Sequence, residues 1–404
     1  MVSTLSSLMD SLKISKYPMR WNSIFESAME KYEANGCELV DERKLHEIND
    51  KYRIFTRYFD KILLAAKLIR ENEQLSRFLT LLDMAMSDRA AFRNDMKSLE
   101  LPKAPNGIEH LGFDLVSFFV FPATIPATYA EYCAHYVPEN IIREVLMEYE
   151  GCIRGYELRN GKPGYNMGYL SWGQLIVDSL LLRIGRFNFE LVPSFQGGIK
   201  VFRNQSGEEK VFADGIRLHR SGAALGSPKY EDEEGAYDAN FVETDEYWEG
   251  YPIIEGGLAA PQRIKIEKRH WKLVLQQGDP VVNVHIPPNE DFSPEICEQS
   301  YIEANKIIKR CYPDFMYKAF LCYSWLMDPQ LEYLLKTDSN IITFQRRYTR
   351  FPSVSSGNGV FSFVFLKKYE RLQELPENTS LERALKKHYL GGNYIYESGG
   401  FFLV

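Results

Sequence analysis

Little in this sequence is set up for disulfides, metals or membranes. Its six cysteines (Cys37, Cys133, Cys152, Cys297, Cys311, Cys322) are scattered over 404 residues with no CxxC pair and no regular spacing. That pattern fits reduced, mostly buried thiols in a cytoplasmic protein rather than a disulfide framework or a zinc site. No HExxH occurs, and neither GxxxxGK[ST] nor GxGxxG offers a phosphate cradle, so metal, nucleotide and dinucleotide chemistry are not expected. Positive charge is in slight deficit, 48 Lys and Arg against 55 Asp and Glu, so a general nucleic-acid-binding surface is not expected either. The most apolar window, residues 113–134, is broken by Pro122, Pro126 and Glu131 and reads as buried core rather than a span of about 20 residues. The N-terminal residues carry Asp10, Lys13 and Lys16 where a signal peptide would need an unbroken apolar run.

Aromatic residues are plentiful, with 25 Tyr and 25 Phe, which suits a thick core and an apolar cleft. The length suggests two or three domains. The first 165 residues read as helices: apolar side chains recur at three and four in Ile24, Ala28, Met29 and Tyr32, and in Ile54, Tyr58, Ile62, Ala65 and Ile69. Turn chemistry in ELRNGKPGYNMG (157–168) marks the expected boundary between a helical domain, 1–165, and a second domain, 166–404. The second domain opens with a helix, LSWGQLIVDSLLLRIG. Short alternating segments follow at 187–195, 198–204 and 209–220, as in an antiparallel meander. Residues 229–252 carry nine acidic side chains and one lysine, either as a solvated loop or as a rim that attracts a cationic amine.

Strands and helices then alternate. VVNVHIP (281–287) is a strand ended by Pro287 and Pro288. Ser293 and Pro294 open a helix whose expected inward face is Ile296, Ser300, Ala304, Ile307, Ile308 and Cys311. KAFLCYSWL is the next strand, and Asp328-Pro329 opens the helix PQLEYLLK. NIITFQRRY (340–348) and FSFVFL (361–366) read as strands, and Thr379 with Glu382 forms a capping box for SLERALKKHY, which Gly391-Gly392 stop. The fold class is α+β: a helical N-terminal domain, then a mixed, mostly antiparallel sheet flanked by helices.

That order is the order of the GNAT acyltransferase fold. The phrases GDPVVNVHIPP, SYIEANKIIKR and FLCYSWLMDPQLEYLLKTDSNIITFQRRY, with WEGYP and RIGRFNF upstream, resemble a bacterial family of acyltransferase domain-containing proteins. In that family an N-terminal helical domain precedes a GNAT-like C-terminal domain; Met327 stands where it often has leucine. The resemblance implies transfer of an acyl group from acyl-CoA, acetyl-CoA or a similar thioester to a small-molecule amine, without a metal, nucleic acid or membrane partner. It covers about 170–350 closely and the helical half loosely. Three roles are open to that half: a lid on the cleft, recognition of the acceptor, or formation of a homodimer.

The resemblance also assigns residues. The pyrophosphate of CoA maps to the turn before Pro294, which makes Asn289, Phe292 and Ser293 candidate contacts at a helix N-terminus. This turn has no glycine and carries Glu290 and Asp291, which repel pyrophosphate, so either CoA is gripped differently, with Lys306, Lys309 or Arg310 nearby, or CoA is not the ligand. A splay between central strands maps to Val284 and Ile286 on one side and Cys322-Tyr323-Ser324 on the other, with Trp325 walling an acyl tunnel. His285, at the strand end, is a base or a satisfied structural histidine. Tyr333 is the acid or a core residue, and Ser324 a donor to thiolate or carbonyl, or part of a turn. Arg346, Arg347 and Arg350 read as a solvated cluster. The alternative to an enzyme is a non-catalytic GNAT-like module that binds a small ligand or a protein.

Overall fold

Asp41, Asn72, Asp88 and Asn166 each turn a side-chain oxygen onto the amide three residues ahead and so start a helix. With the helices Trp21–Asn35, Phe59–Arg70 and Glu139–Asn160, they build the first of two units into which this computed structural model divides, Met1–Arg183 and Ile184–Val404. The structure describes residues 4–102, 113–288, 290–367 and 369–404. At the centre of the first unit runs Glu73–Ser87, with Leu75 through Leu82 buried in an unbroken row; a helix apolar on every side belongs inside. Its one buried cation, Arg77, is paired with Glu33 at 2.5 Å and Glu73 at 2.9 Å.

Phe118, Phe119 and Phe121 are fully buried; Phe119 packs on Phe118, Phe118 and Phe121 on Tyr165, and Phe121 also on Tyr149, so the most apolar window is core. Among the described residues no helix is long and apolar enough to cross a membrane. The segment after Asn166 divides into a helix, Met167–Val177, and a strand, Leu181–Ile184, rather than one helix.

After the strand Leu181–Ile184 at the boundary between the units, a six-stranded sheet runs on in the order Phe187–Val192, Val281–His285, Ala319–Ser324, Ser398–Leu403, Thr349–Phe351. Its central pair, Val281–His285 with Ala319–Ser324, is parallel, and the strands flanking that pair are antiparallel to it. One face contributes Val281, Ala319, Leu321, Phe351 and Phe401 to a core shared with Ile199, Val201, Val211 and Leu275. Those partners come from a second sheet containing Ile199–Asn204, Glu209–Ala213 and Trp271–Leu275. The opposite face meets the helix Pro294–Cys311 through Tyr301, whose ring lies 5.1 to 6.1 Å from Phe187, Phe189, Phe320 and Phe402. That helix buries Cys297, Ser300, Tyr301, Ala304, Ile308 and Cys311; Ile296, expected inside, is 40% exposed.

Two expected strands are helical. Residues 340–348 form the helix Asn340–Arg346, because Ser339 caps it through the amide of Ile342 and the buried positions Ile342, Gln345 and Tyr348 recur every third residue. In 361–366 the turn Gly359–Phe363 puts Phe361 and Phe365 on one side, 5.8 Å apart and both against Tyr389. The sheet is completed instead by Ser398–Leu403, a strand that carries Gly399-Gly400. A Cβ on Gly399 would lie 2.3 Å from the Phe351 ring, and one on Gly400 2.8 Å from Met327 Sδ. The glycines are there to let neighbouring side chains lie against the strand. The capping box of Thr379 and Glu382 forms as expected.

Candidate active site

The parallel pair is joined at one end and open at the other. Val282 pairs with Phe320 and Asn283 with Leu321, and among the described residues the ladder goes no further. Each strand stays fully paired on its outer side: His285 lies opposite Asn188, and Ser324 opposite Ser398. The gap therefore opens between Val284-His285-Ile286 and Cys322-Tyr323-Ser324, as a wedge held rigid from both flanks. Val284 is buried and Ile286 half-buried on the first lip.

Alternation puts Asn283 and His285 on one face, and the register places Asn188 and Glu190 beside them. His285 Nε2 lies 2.7 Å from Glu190 Oε2, and Asn283 Nδ2 donates to that same oxygen at 3.1 Å. An ionised carboxylate only accepts, so Nε2 is the donor in this pair. His285 is thus a half-buried, carboxylate-oriented imidazole, the arrangement a general base requires.

On the second lip, Tyr323 shares the face of His285. Its ring packs edge-on against Phe351 at 5.7 Å; the residue is 43% exposed, and the packing on its covered side pushes the phenol up to about 12. A phenol keeps its proton at neutral pH and so offers the second lip a hydrogen-bond donor. Room for it comes from Gly197, where a Cβ would sit 2.8 Å from the Tyr323 hydroxyl. Cys322 beside it is 1% exposed and its thiol is pushed up to about 12 by burial, so it is no nucleophile.

The remaining candidates fall elsewhere. Tyr333 is 90% exposed on the four-residue helix Leu331–Leu334, so it is neither core nor a sheltered proton donor. Ser324 Oγ accepts the amide of Leu326 at 3.1 Å and Trp325 is buried, both serving the turn after the strand. In that turn Asp328, 1% exposed, accepts from Gln330 N at 2.8 Å and Tyr396 N at 2.6 Å, while Gln345 Nε2 donates to the carbonyls of Leu326 and Asp328. Burial pushes the Asp328 carboxyl up to about 6, against the pull of those bonds and of Arg350. Asn289 lies outside the described residues. Phe292 packs against Phe344 at 4.9 Å and Phe187 at 6.4 Å. Ser293 stands at the N-cap without a side-chain capping bond, and its amide is taken by Asp291 Oδ1 at 2.9 Å.

The cations expected to serve this turn do not reach it. Lys306, Lys309 and Arg310 begin twelve residues into the helix, roughly 18 Å along its axis. The cation at the turn is Arg186, missed in the sequence because it precedes the turn by about a hundred residues. It is 5% exposed, donates to the carbonyl of Pro287 at 2.7 Å, stands 4.0 Å from Glu290, and lies over the Phe292 ring at 5.2 Å. Six of the nine acidic residues of 229–252 stand in ion pairs, among them Glu233 with Arg217, Asp232 with Arg220, Glu243 with Lys268, and Glu249 with Arg263. Among the described residues no group of His, Cys, Asp and Glu is placed to hold a metal.

A mixed sheet whose central parallel strands part beside the helix that leaves one of them is the architecture of a GNAT-type acyltransferase domain. Residues 181–402 match the family described as the GNAT-like C-terminal domain, and the chain belongs to that family. Among solved structures, an acyltransferase in complex with decanoyl-CoA and teicoplanin is similar over 99% of both chains, at 18% identity and a TM-score of 0.62. An acyltransferase mutant in complex with octanoyl-CoA gives the same figures, and an acyltransferase in complex with decanoyl-CoA matches at 19% identity with a TM-score of 0.60. At such identities the likeness is one of fold. No curated protein matches the chain.

Proposed function

We propose that this protein is an N-acyltransferase that moves an acyl group from acyl-CoA, or a similar thioester, to a small-molecule amine by direct attack in a ternary complex. The observation that carries the proposal is the wedge, with a carboxylate-oriented histidine on one lip and a protonated tyrosine on the other. An acyl-pantetheine arm entering the wedge meets unpaired strand edges with which its amides bond. His285 takes a proton from the amine, the nitrogen attacks the thioester carbonyl, and the carbon–sulfur bond breaks to give amide and CoA thiolate. Tyr323 donates a hydrogen bond to the charge that develops without surrendering its proton. The thiolate then takes the proton that His285 removed. Family membership and neighbours that bind acyl-CoA together with teicoplanin support the reading. Six cysteines, none in a disulfide, suit a reducing cytoplasm.

The test is thermal unfolding with CoA, acetyl-CoA, octanoyl-CoA and decanoyl-CoA, followed by assay of thiol release when amines are added. A donor at about 100 times its Kd adds roughly 2.7 kcal/mol of stability and raises the melting temperature visibly. We expect a rise that depends on acyl length and thiol release that depends on amine. No rise with any of them at millimolar concentration overturns the proposal and leaves a non-catalytic module, a reading favoured by the acidic, glycine-free turn before Pro294.

A further inference from the structure

One helix of the first unit carries an open groove. Of the fifteen residues of Trp21–Asn35 only Trp21 and Ala28 are buried. On its outer side, and reaching Leu5, a groove of about 970 Å³ runs from Asn22 to Ala34, roughly 18 Å of helix. Phe25 and Met29, one turn apart and half-buried, form its apolar floor with Leu5. Glu26, Glu30 and Glu33, all exposed, repeat at turn spacing along its edge.

The row of carboxylates has too few cations of its own. Glu33 pairs with Arg77 at 2.5 Å, but among the described residues Glu26 and Glu30 stand in no ion pair. Lys31, the one cation on the helix, pairs instead with Asp83 at 2.8 Å. Like charges four residues apart on a helix repel and weaken it, so the row works against the helix that carries it. Beside that row lies apolar surface that meets water. What relieves both is one body with cations along an apolar stripe. A small polyamine brings the charge alone, and a neutral helix covers the floor but leaves the carboxylates facing each other. A basic amphipathic helix does both, because residues three and four apart share one face.

We infer that this groove is the docking surface for a basic amphipathic helix of a partner protein, about three turns long to match the groove. Two of the partner's apolar side chains, one turn apart, seat on Phe25 and Met29, and Lys or Arg side chains beside them meet Glu26 and Glu30. Such docking is separate from chemistry at the wedge and gives the helical unit a partner of its own.

The probe is a synthetic helical peptide of leucine and lysine with its leucines three and four apart, added to the full-length protein in a calorimetric titration. The same peptide with glutamate in place of lysine, and spermine, are the controls. Binding is expected for the leucine–lysine peptide alone at physiological salt, weakening as salt rises. In the double variant Glu26→Gln, Glu30→Gln its Kd rises about 3- to 30-fold, and in Phe25→Ser about 10-fold. Without peptide, the double variant melts no lower than the wild type, because a like-charge pair has gone; a lower melting temperature would show these glutamates holding the fold and overturn the surface. An unchanged Kd in the double variant, which is attraction to the acidic chain at large, overturns it too. So does an unchanged Kd in Phe25→Ser, or spermine binding as tightly as the peptide. Should Phe25→Ser not fold, the double variant, changed only at exposed side chains, and the spermine comparison still decide.

Discussion

Glu190 receives two hydrogens on one oxygen, from His285 and from Asn283. In Glu190→Gln the amide oxygen still accepts from Nε2 and from Asn283 but carries no charge, so an imidazolium formed at His285 loses its counterion. We expect kcat for thiol release to fall by about 100-fold or more, the scale of general-base catalysis, with the KM for acyl-CoA unchanged. A fall in thermal stability with kcat preserved would mean that Glu190 only holds the strands together. The place of His285 at a strand end was legible in the sequence because two prolines follow its strand. Glu190 was not: it lies 95 residues earlier, and only strand register brings it to the histidine. Arg186 and Asn188 were hidden for the same reason. Tyr333 misled because a family position predicts a helix, whereas burial is set by which side of a four-residue turn faces the core.

Elements with strong local punctuation were readable as such. The helix Pro294–Cys311 and the capped helix Ser380–Leu390 follow from serine, proline, threonine and glutamate at fixed offsets. Residues 340–348 and 361–366 failed because aromatic and β-branched composition suits a strand, while tertiary contacts chose helical turns. The turn from Ser324 to Gln330 carries a prediction of its own. Asp328 holds its proton more tightly in the folded protein than in the unfolded chain, since burial lifts its carboxyl from the usual range to about 6. Its contribution to stability is therefore complete below about pH 4 and is lost as pH rises to 6, a change on the order of 3 kcal/mol. Asp328→Asn cannot titrate. The stability difference between wild type and Asp328→Asn, measured by denaturant unfolding, should shift in favour of the variant from pH 4 to pH 7. A difference that stays constant would mean that the carboxyl is not perturbed.

The whole molecule divides its chain between a unit built of neighbouring helices and a unit whose central sheet joins distant segments. The general outline, helices first and a mixed sheet after, was visible in the change of periodicity. The order of the sheet's strands was visible only in part, because the closing strand, Ser398–Leu403, is disguised by two glycines. Contacts of such different range fold at different speeds. After dilution from denaturant we expect the helical circular dichroism to return at least about ten times faster than the ability to bind an acyl-CoA. Equal rates would mean that the sheet forms as early as the helices.

The flank pairing that keeps the wedge rigid also places it in time. The lip bearing Tyr323 has its outer neighbour only when Ser398–Leu403 has been made, and on the ribosome the Ala319–Ser324 strand must wait for it. Through that interval an apolar strand edge lies unpaired, the kind of surface that recruits a stranger's strand. The wedge is thus among the last features of the sheet to be completed as the chain is made.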